Sequence, residues 1–275
     1  MVNRYFNYLM HRDLHLSLHV GDHKISVGVG FPQGGVALAK FWLIAFDRAV
    51  EIINSFGVHG NAFADDCGAV VGGTNVTESR NRIQKMTGDL VAWGNSCGLR
   101  FNPSKTVVVL FTRKKTPYPM EIIIEGKSIP FSNTVKYLGV TLDRKLNWRQ
   151  HINNKISKAR SHLYCISNIV TKTWGPRPKL LRWAYTCIVR PAVTYAAMAW
   201  AHATGTETVK KKLLRVDRLA MLTIAAVHRS TPTRGLAIIY DILPLHLELR
   251  LLGLQAYVRQ RSSCLLYTSP SPRDS

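Results

Sequence analysis

Residues 61–71 read Asn61-Ala62-Phe63-Ala64-Asp65-Asp66-Cys67-Gly68-Ala69-Val70-Val71, two short apolar runs joined by a pair of acids. Such a pattern predicts strand, tight turn, strand. Neighbouring side chains on a strand point to opposite faces, but a hairpin tip lets both carboxylates reach one cavity. Adjacent like charges in an apolar setting need a compensating cation. Hard carboxylate oxygens suit Mg²⁺, which leaves its other positions to water and substrate phosphates. Taken alone, the pair fits a solvated Asp-Asp turn equally well, so its surroundings carry the decision.

Working outward, residues 4–30 read as a helix end followed by a hairpin. Leu14, Leu16 and Leu18 alternate with polar residues, Gly21-Asp22 offers a turn, and 24–30 alternate again. Phe31-Pro32-Gln33-Gly34-Gly35 is a break, and 36–56 form a long apolar helical run. Downstream, 75–98 predict an amphipathic helix opened by Thr77-Glu78, with Ile83, Met86, Leu90 and Trp93 at helical spacing. Residues 106–111 predict a strand, 113–119 a basic loop, 121–129 a hairpin turning at Gly126, and 135–143 a further strand. Beyond Asn147 the pattern is helical, over 148–171, 177–202, 206–227 and 244–260. The fold class is α+β: an antiparallel sheet with packed helices over 1–145, a mainly helical region over 146–261, and a Ser/Pro-rich tail over 262–275 that reads as disordered and resembles translated adaptor sequence foreign to the protein.

The 275 residues carry 37 Lys and Arg against 16 Asp and Glu, a net charge of +21. That field suits a polyanionic partner. A hydrophobic share of 46% excludes wholesale disorder. No apolar run reaches the roughly 18–20 residues of a membrane span, and the first 20 residues lack the uninterrupted apolar stretch of a secretory signal. Five widely spaced Cys without a CxxC pair suggest reduced thiols with no disulfide partners, in a cytoplasmic or nuclear setting.

Four motifs stand in a telling order: Gly30-Phe31-Pro32-Gln33-Gly34-Gly35; Phe63-Ala64-Asp65-Asp66; Gly98-Leu99 with Asn102, Lys105 and Thr106; and Lys136-Tyr137-Leu138-Gly139. This series resembles the reverse transcriptases of jockey-like non-LTR retrotransposons over about residues 4–260. The resemblance implies a partial polymerase palm followed by a thumb-like helical region. It implies that Asp65 and Asp66 bind Mg²⁺ or Mn²⁺, with Lys105 beside the triphosphate. Gln33, Gly34, Gly35 and Phe63 would meet the incoming deoxynucleoside triphosphate and template, and Tyr137, Leu138 and Gly139 would grip the primer end. Arg149, Lys155 and Lys158, in a helix crowded with cations, would track the RNA template and DNA primer duplex. A solvated basic helix face is the alternative for that cluster.

The pattern also departs from the family. A polymerase palm needs a third carboxylate on a strand ahead of the Pro-Gln-Gly-Gly motif. Only Asp13 and Asp22 precede it, neither in the right setting. Ala45-Phe46-Asp47 spells the missing motif but follows Pro-Gln-Gly-Gly on a helix, so Asp47 is not counted as catalytic. Val36-Ala37-Leu38-Ala39 replaces the usual residues after that motif. The expectation is an N-terminally truncated reverse transcriptase fragment, inactive alone. The alternative is a non-catalytic nucleic-acid-binding remnant of a decayed mobile element.

Overall fold

The computed structural model describes residues 12–18, 21–27, 38–113, 120–170 and 175–268. These divide into two compact units, one made of the described residues up to Leu110 with Met120–Ser132, the other of Phe111–Arg113 and the described residues from Asn133 on.

In the first unit, β1 (Arg12–Leu18) pairs antiparallel with β2 (Gly21–Val27). The register sets Leu18 opposite Gly21, so Gly21 and Asp22 begin the second strand and do not form the turn expected of them. Helix α1 (Leu38–Ser55) turns Phe46, Ala49 and Ile53 inward, and this spacing repeats one helical face. They meet Val58 and the inward residues Met86 and Leu90 of α2 (Val76–Ser96). Ile83 and Trp93, the other members of the apolar spacing in α2, pack on the same core.

The ends of α2 follow from its sequence. Asn75 caps its start, its side chain accepting from the Thr77 and Glu78 amides at 3.0 and 3.4 Å. Gly98, at φ +74°, closes the other end: the Leu99 amide donates to Gly94 O at 2.8 Å and that of Gly98 to Asn95 O at 3.3 Å, a Schellman arrangement. Asn75→Ala is expected to lower the stability of this unit by about 1 kcal/mol, measured as a shift of the urea midpoint; an unchanged midpoint would refute the capping role.

Strands β3 (His59–Phe63) and β4 (Asp66–Val70) form a separate antiparallel pair. A three-stranded sheet runs in the order β5 (Val108–Val109), β7 (Lys127–Ser132), β6 (Glu121–Ile124), with β5 parallel to β7. The strand expected over 106–111 shrinks to two residues, because β5 finds only the end of β7 to pair with. The edge strand β6 is covered by side chains of α2. The Gln84 amide donates to Ile123 O and accepts from Ile123 N, both at 2.8 Å, and Arg80 Nε donates to Glu121 O at 3.1 Å. Such cover blunts an edge that otherwise templates aggregation. The sheets of the described residues are small and separate, where the sequence reading expected one antiparallel palm sheet.

In the second unit, β8 (Thr134–Tyr137) and β9 (Val140–Asp143) form a hairpin. The sequence reading grouped this segment with residues 1–145. It sides with the helices because Val140 and Leu142 pack on their core. Helix α3 (Arg149–Ile169) follows. The helix expected over 177–202 is broken into α4 (Pro178–Ala184), a π turn at Tyr185–Val189, α5 (Arg190–Thr194), α6 (Ala197–Trp200) and a 3₁₀ turn at Ala201–Gly205. Pro191 has no amide to continue the ladder, and Ala196 reverses the chain at φ +56°. Helices α7 (Glu207–Ala225), α8 (Thr233–Ile239) and α9 (Leu245–Thr268) complete the unit. Helix α9 runs beyond residue 262, where the sequence reading began a disordered tail. The core joins Ile152, Ile156, Ala159 and Leu163 of α3 to Tyr185, Val189, Trp200, Leu213, Val216, Met221, Leu245 and Leu249. No helix among the described residues is long and apolar enough to cross a membrane.

Candidate metal and nucleic-acid sites

The acidic pair sits at the tip of the β3–β4 hairpin. Phe63 lies opposite Asp66, so Ala64 and Asp65 are the two loop residues. Alternation along the strands then sorts the side chains. Ala62 and Cys67, the next cross-strand pair, pack against the core, and burial pushes the Cys67 thiol up. Phe63 and Asp66 project to the open face, with Phe63 66% exposed. Asp65 and Asp66 are both exposed.

Ala64 is held at φ +53°, a left-handed conformation that costs an L-residue about 1–2 kcal/mol. A support from α1 offsets this, because Trp42 Nε1 donates to Ala64 O at 2.7 Å. Trp42 stacks on Phe46 at 5.3 Å, and Phe46 meets Trp93 edge-on at 5.9 Å. An aromatic row rooted in the core therefore fixes the tip that carries the two acids. Trp42 was missed in the sequence reading. Its spacing of four from Phe46 marks it as a face-sharing aromatic, but nothing local links it to residue 64.

Lys105 lies exposed on a turn in the same unit, and no ion pair joins it to Asp65 or Asp66. The rest of its motif builds that turn. Asn102 Oδ1 accepts from the Ser104 amide at 2.9 Å, and Asn102 O accepts from the Lys105 amide at 3.1 Å and Thr106 Oγ1 at 2.9 Å. Asp47 is on α1, as the sequence reading had it, and is exposed. Gln33, Gly34 and Gly35 lie outside the described residues. Two carboxylates at one tip offer hard oxygen ligands of the kind a divalent cation takes. Among the described residues no group of three or more metal-capable side chains converges, here or elsewhere. The donor set fits part of a divalent-cation site and leaves the remaining positions to other ligands.

In the second unit, Tyr137 pairs with Val140, leaving Leu138 and Gly139 as the loop of a tight hairpin. Their φ values of +45° and +76° are both in the left-handed region, as a type I′ turn requires. Tyr195 buttresses this tip. Its hydroxyl donates to Leu138 O at 2.8 Å, and a Cβ on Gly139 would come within 3.3 Å of its ring. Lys155 Nζ stands 4.4 Å from the centre of the same ring. Burial lowers the Lys155 ammonium, with Lys158 and Lys136 adding repulsion. Lys155 and Lys158, three apart, share a face of α3, and Lys136 sits opposite Thr141, whose hydroxyl accepts from Asn154 of that helix at 3.5 Å. Arg149 does not join them: it precedes Lys158 by about two and a half helical turns, on the other side of α3. Asp143 has a structural task, its carboxylate accepting from the amides of Asn147 and Trp148 at 3.1 and 2.9 Å just ahead of α3.

The chain is similar to proteins of insect mobile elements. It is 23% identical over 235 residues to the 115 kDa protein of type-1 retrotransposable element R1DM of Drosophila melanogaster, covering 86% of this chain and 23% of that protein. It is 22% identical over 227 residues to a Pol polyprotein from an R1 element of Nasonia vitripennis, covering 80% of this chain and 66% of that one. It is 24% identical over 237 residues to the RNA-directed DNA polymerase from mobile element jockey of Drosophila melanogaster, covering 82% of this chain and 25% of that enzyme. No family model and no solved structure matches. The chain therefore spans only part of each of these relatives, between about a quarter and two thirds of their length. Across most of its own length, it is a homologue of the Pol proteins and RNA-directed DNA polymerases of R1 and jockey retrotransposons.

Proposed function

We propose that this chain is a segment of a retrotransposon reverse transcriptase, comprising the later part of a palm and a thumb-like helical region. The observation that carries the reading is the Phe63-Ala64-Asp65-Asp66 tip, a strained hairpin anchored by Trp42 and presenting both carboxylates outward. Asp65 and Asp66 would hold Mg²⁺ or Mn²⁺. A divalent ion bound there supplies activation of a primer hydroxyl and stabilisation of charge on the departing phosphate. Phe63, beside the acids on the open face, would pack on the incoming nucleotide. Gln33, Gly34 and Gly35 would complete that pocket, and Lys105 would neutralise triphosphate charge. In the second unit the Tyr137-Leu138-Gly139 turn and the lysines beside it would hold the primer strand of an RNA–DNA hybrid. The net charge of +21 supports a phosphate-backbone partner.

A two-metal site needs more carboxylate than this hairpin brings. The 275-residue chain alone is therefore expected to bind an RNA–DNA hybrid without extending its primer. Affinity is expected to fall at least tenfold between 50 and 200 mM salt if several phosphates are contacted. Extension with Mg²⁺ or Mn²⁺ that disappears in Asp65→Ala would overturn the expectation of inactivity. Failure to bind the hybrid at low salt would overturn the reading as a whole.

A further inference from the structure

Three lysines held together without a carboxylate are an unresolved repulsion. Lys155 and Lys158 lie one turn apart on α3, and Lys136 of β8 is paired across the hairpin with Thr141, whose hydroxyl accepts from Asn154 of α3, next to Lys155, at 3.5 Å. Among the described residues no acidic side chain pairs with any of the three. Burial already costs the Lys155 ammonium part of its hydration. What keeps it in place is the face of Tyr195, whose ring centre is 4.4 Å from its nitrogen, a cation–π contact.

Tyr195 is itself fixed from the core side. Its amide donates to Pro191 O at 3.0 Å, and its carbonyl accepts from Nε1 of the fully buried Trp200 at 3.1 Å. Its ring is nonetheless 50% exposed. That ring does two things at once: the hydroxyl holds Leu138 in a conformation costly for a branched side chain, and the face holds Lys155. The turn and the lysine cluster are thereby locked to one another by a residue 57 positions beyond Leu138 in sequence.

We propose that Tyr195 is a positioning residue that couples the Leu138–Gly139 turn to a phosphate-binding site formed by Lys136, Lys155 and Lys158. The inference rests on the nucleic-acid reading above and adds to it a residue that carries no charge and touches no substrate. A phosphate oxygen placed among the three ammonium groups relieves their repulsion and accepts charge-assisted hydrogen bonds. Tyr195 removes the need to order Lys155 at the moment of binding, which lowers the entropic cost.

The test is binding of the whole chain to a fluorescein-labelled RNA–DNA hybrid, read by anisotropy at several salt concentrations, with folding followed by circular dichroism. Lys155→Ala is expected to reduce the slope of log Kd against log salt by about 0.9, one phosphate contact. Tyr195→Leu, which removes no charge, is expected to reduce the slope by a similar amount, and the double variant by no more than either. If Tyr195→Leu does not fold, Tyr195→Phe serves: it keeps the ring over Lys155 and loses the bond to Leu138, so the slope is retained while affinity weakens several-fold. Slopes that add in the double variant, or a Tyr195→Phe protein with wild-type affinity, would overturn the proposal while leaving the nucleic-acid reading standing. A wild-type chain that ignores the hybrid would overturn both.

Discussion

Asp217→Ala is expected to cost the second unit about 3–5 kcal/mol, a fall in melting temperature of roughly 10–20 °C. Asp217 on α7 is 1% exposed, and its environment explains how a carboxylate survives there. Oδ1 accepts from the Tyr185 hydroxyl at 2.6 Å, and Oδ2 accepts from the Leu245 amide at 2.9 Å, the first amide of α9. The carboxylate therefore caps one helix from another, against the positive end of the α9 dipole. Burial pushes the Asp217 carboxyl up, while those two donors and the Arg190 guanidinium oppose the shift. Arg190 is also held: its guanidinium donates to Leu243 O at 2.7 Å, bonds the Glu248 carboxylate, and stands 5.5 Å from the centre of the Tyr185 ring. Removing the carboxylate strands two buried donors and leaves Arg190 with less compensation. Asp217→Asn, which retains an oxygen for one donor, is expected to lose less, and Tyr185→Phe about 1–2 kcal/mol because one bond disappears cleanly. Thermal melts of the three variants decide the matter. A loss below 1 kcal/mol in Asp217→Ala would mean that water replaces the carboxylate and that α9 is seated by apolar packing alone.

What the sequence made legible is local. Two hairpins, at 59–70 and 121–132, carry short turns between β-prone runs, with tips on or next to the residues that invite them, Ala64-Asp65 and Glu125-Gly126, whereas 134–143, expected as one strand, folds back at Leu138-Gly139, both at positive φ. Helix α2 was readable because apolar spacing and terminal glycine agree, although its cap is Asn75 and not the Thr77-Glu78 pair expected to open it. The segment 177–202 was not, because its apolar residues run round every face and hide the π turn ahead of Pro191 and the reversal at Ala196. The acidic tip was visible as a motif, while its anchor Trp42 was not. Among the expected nucleic-acid residues, Lys155 and Lys158 share a face of α3 and Arg149 stands on the other side. That the Tyr195 ring comes to rest against Lys155 is something no spacing along α3 encodes. The buried network of Tyr185, Arg190, Asp217 and Glu248 was equally hidden, since its members are scattered over more than 60 residues and each alone resembles an ordinary surface side chain.

Acidification is expected to loosen the second unit through His151. This residue is 1% exposed, on α3 one turn before Lys155, and edge-on to Trp200 at 5.5 Å and to Trp148 at 6.1 Å. Its Nδ1 accepts from the Thr141 amide of β9 at 3.1 Å, so the bond exists only while that nitrogen is unprotonated. A proton there would set two N–H groups against each other in an apolar pocket near an ammonium. Burial first, and Lys155 second, lower the imidazole from its ordinary 6.5 to about 4. Between those values the unfolded chain binds a proton that the folded chain refuses. The stabilisation is therefore complete above about pH 6.5 and is lost as pH falls towards 4, by up to about 3 kcal/mol. The contact ties the β8–β9 hairpin to α3, so the same proton would separate the Leu138–Gly139 turn from the lysines beside it. His151→Asn supplies an acceptor at the Nδ1 position without a titrating ring. Urea midpoints measured from pH 7.5 to 4.5 should fall more steeply for the wild type than for this variant, with the difference opening below pH 6.5. Parallel profiles would show that the imidazole is not the group that titrates.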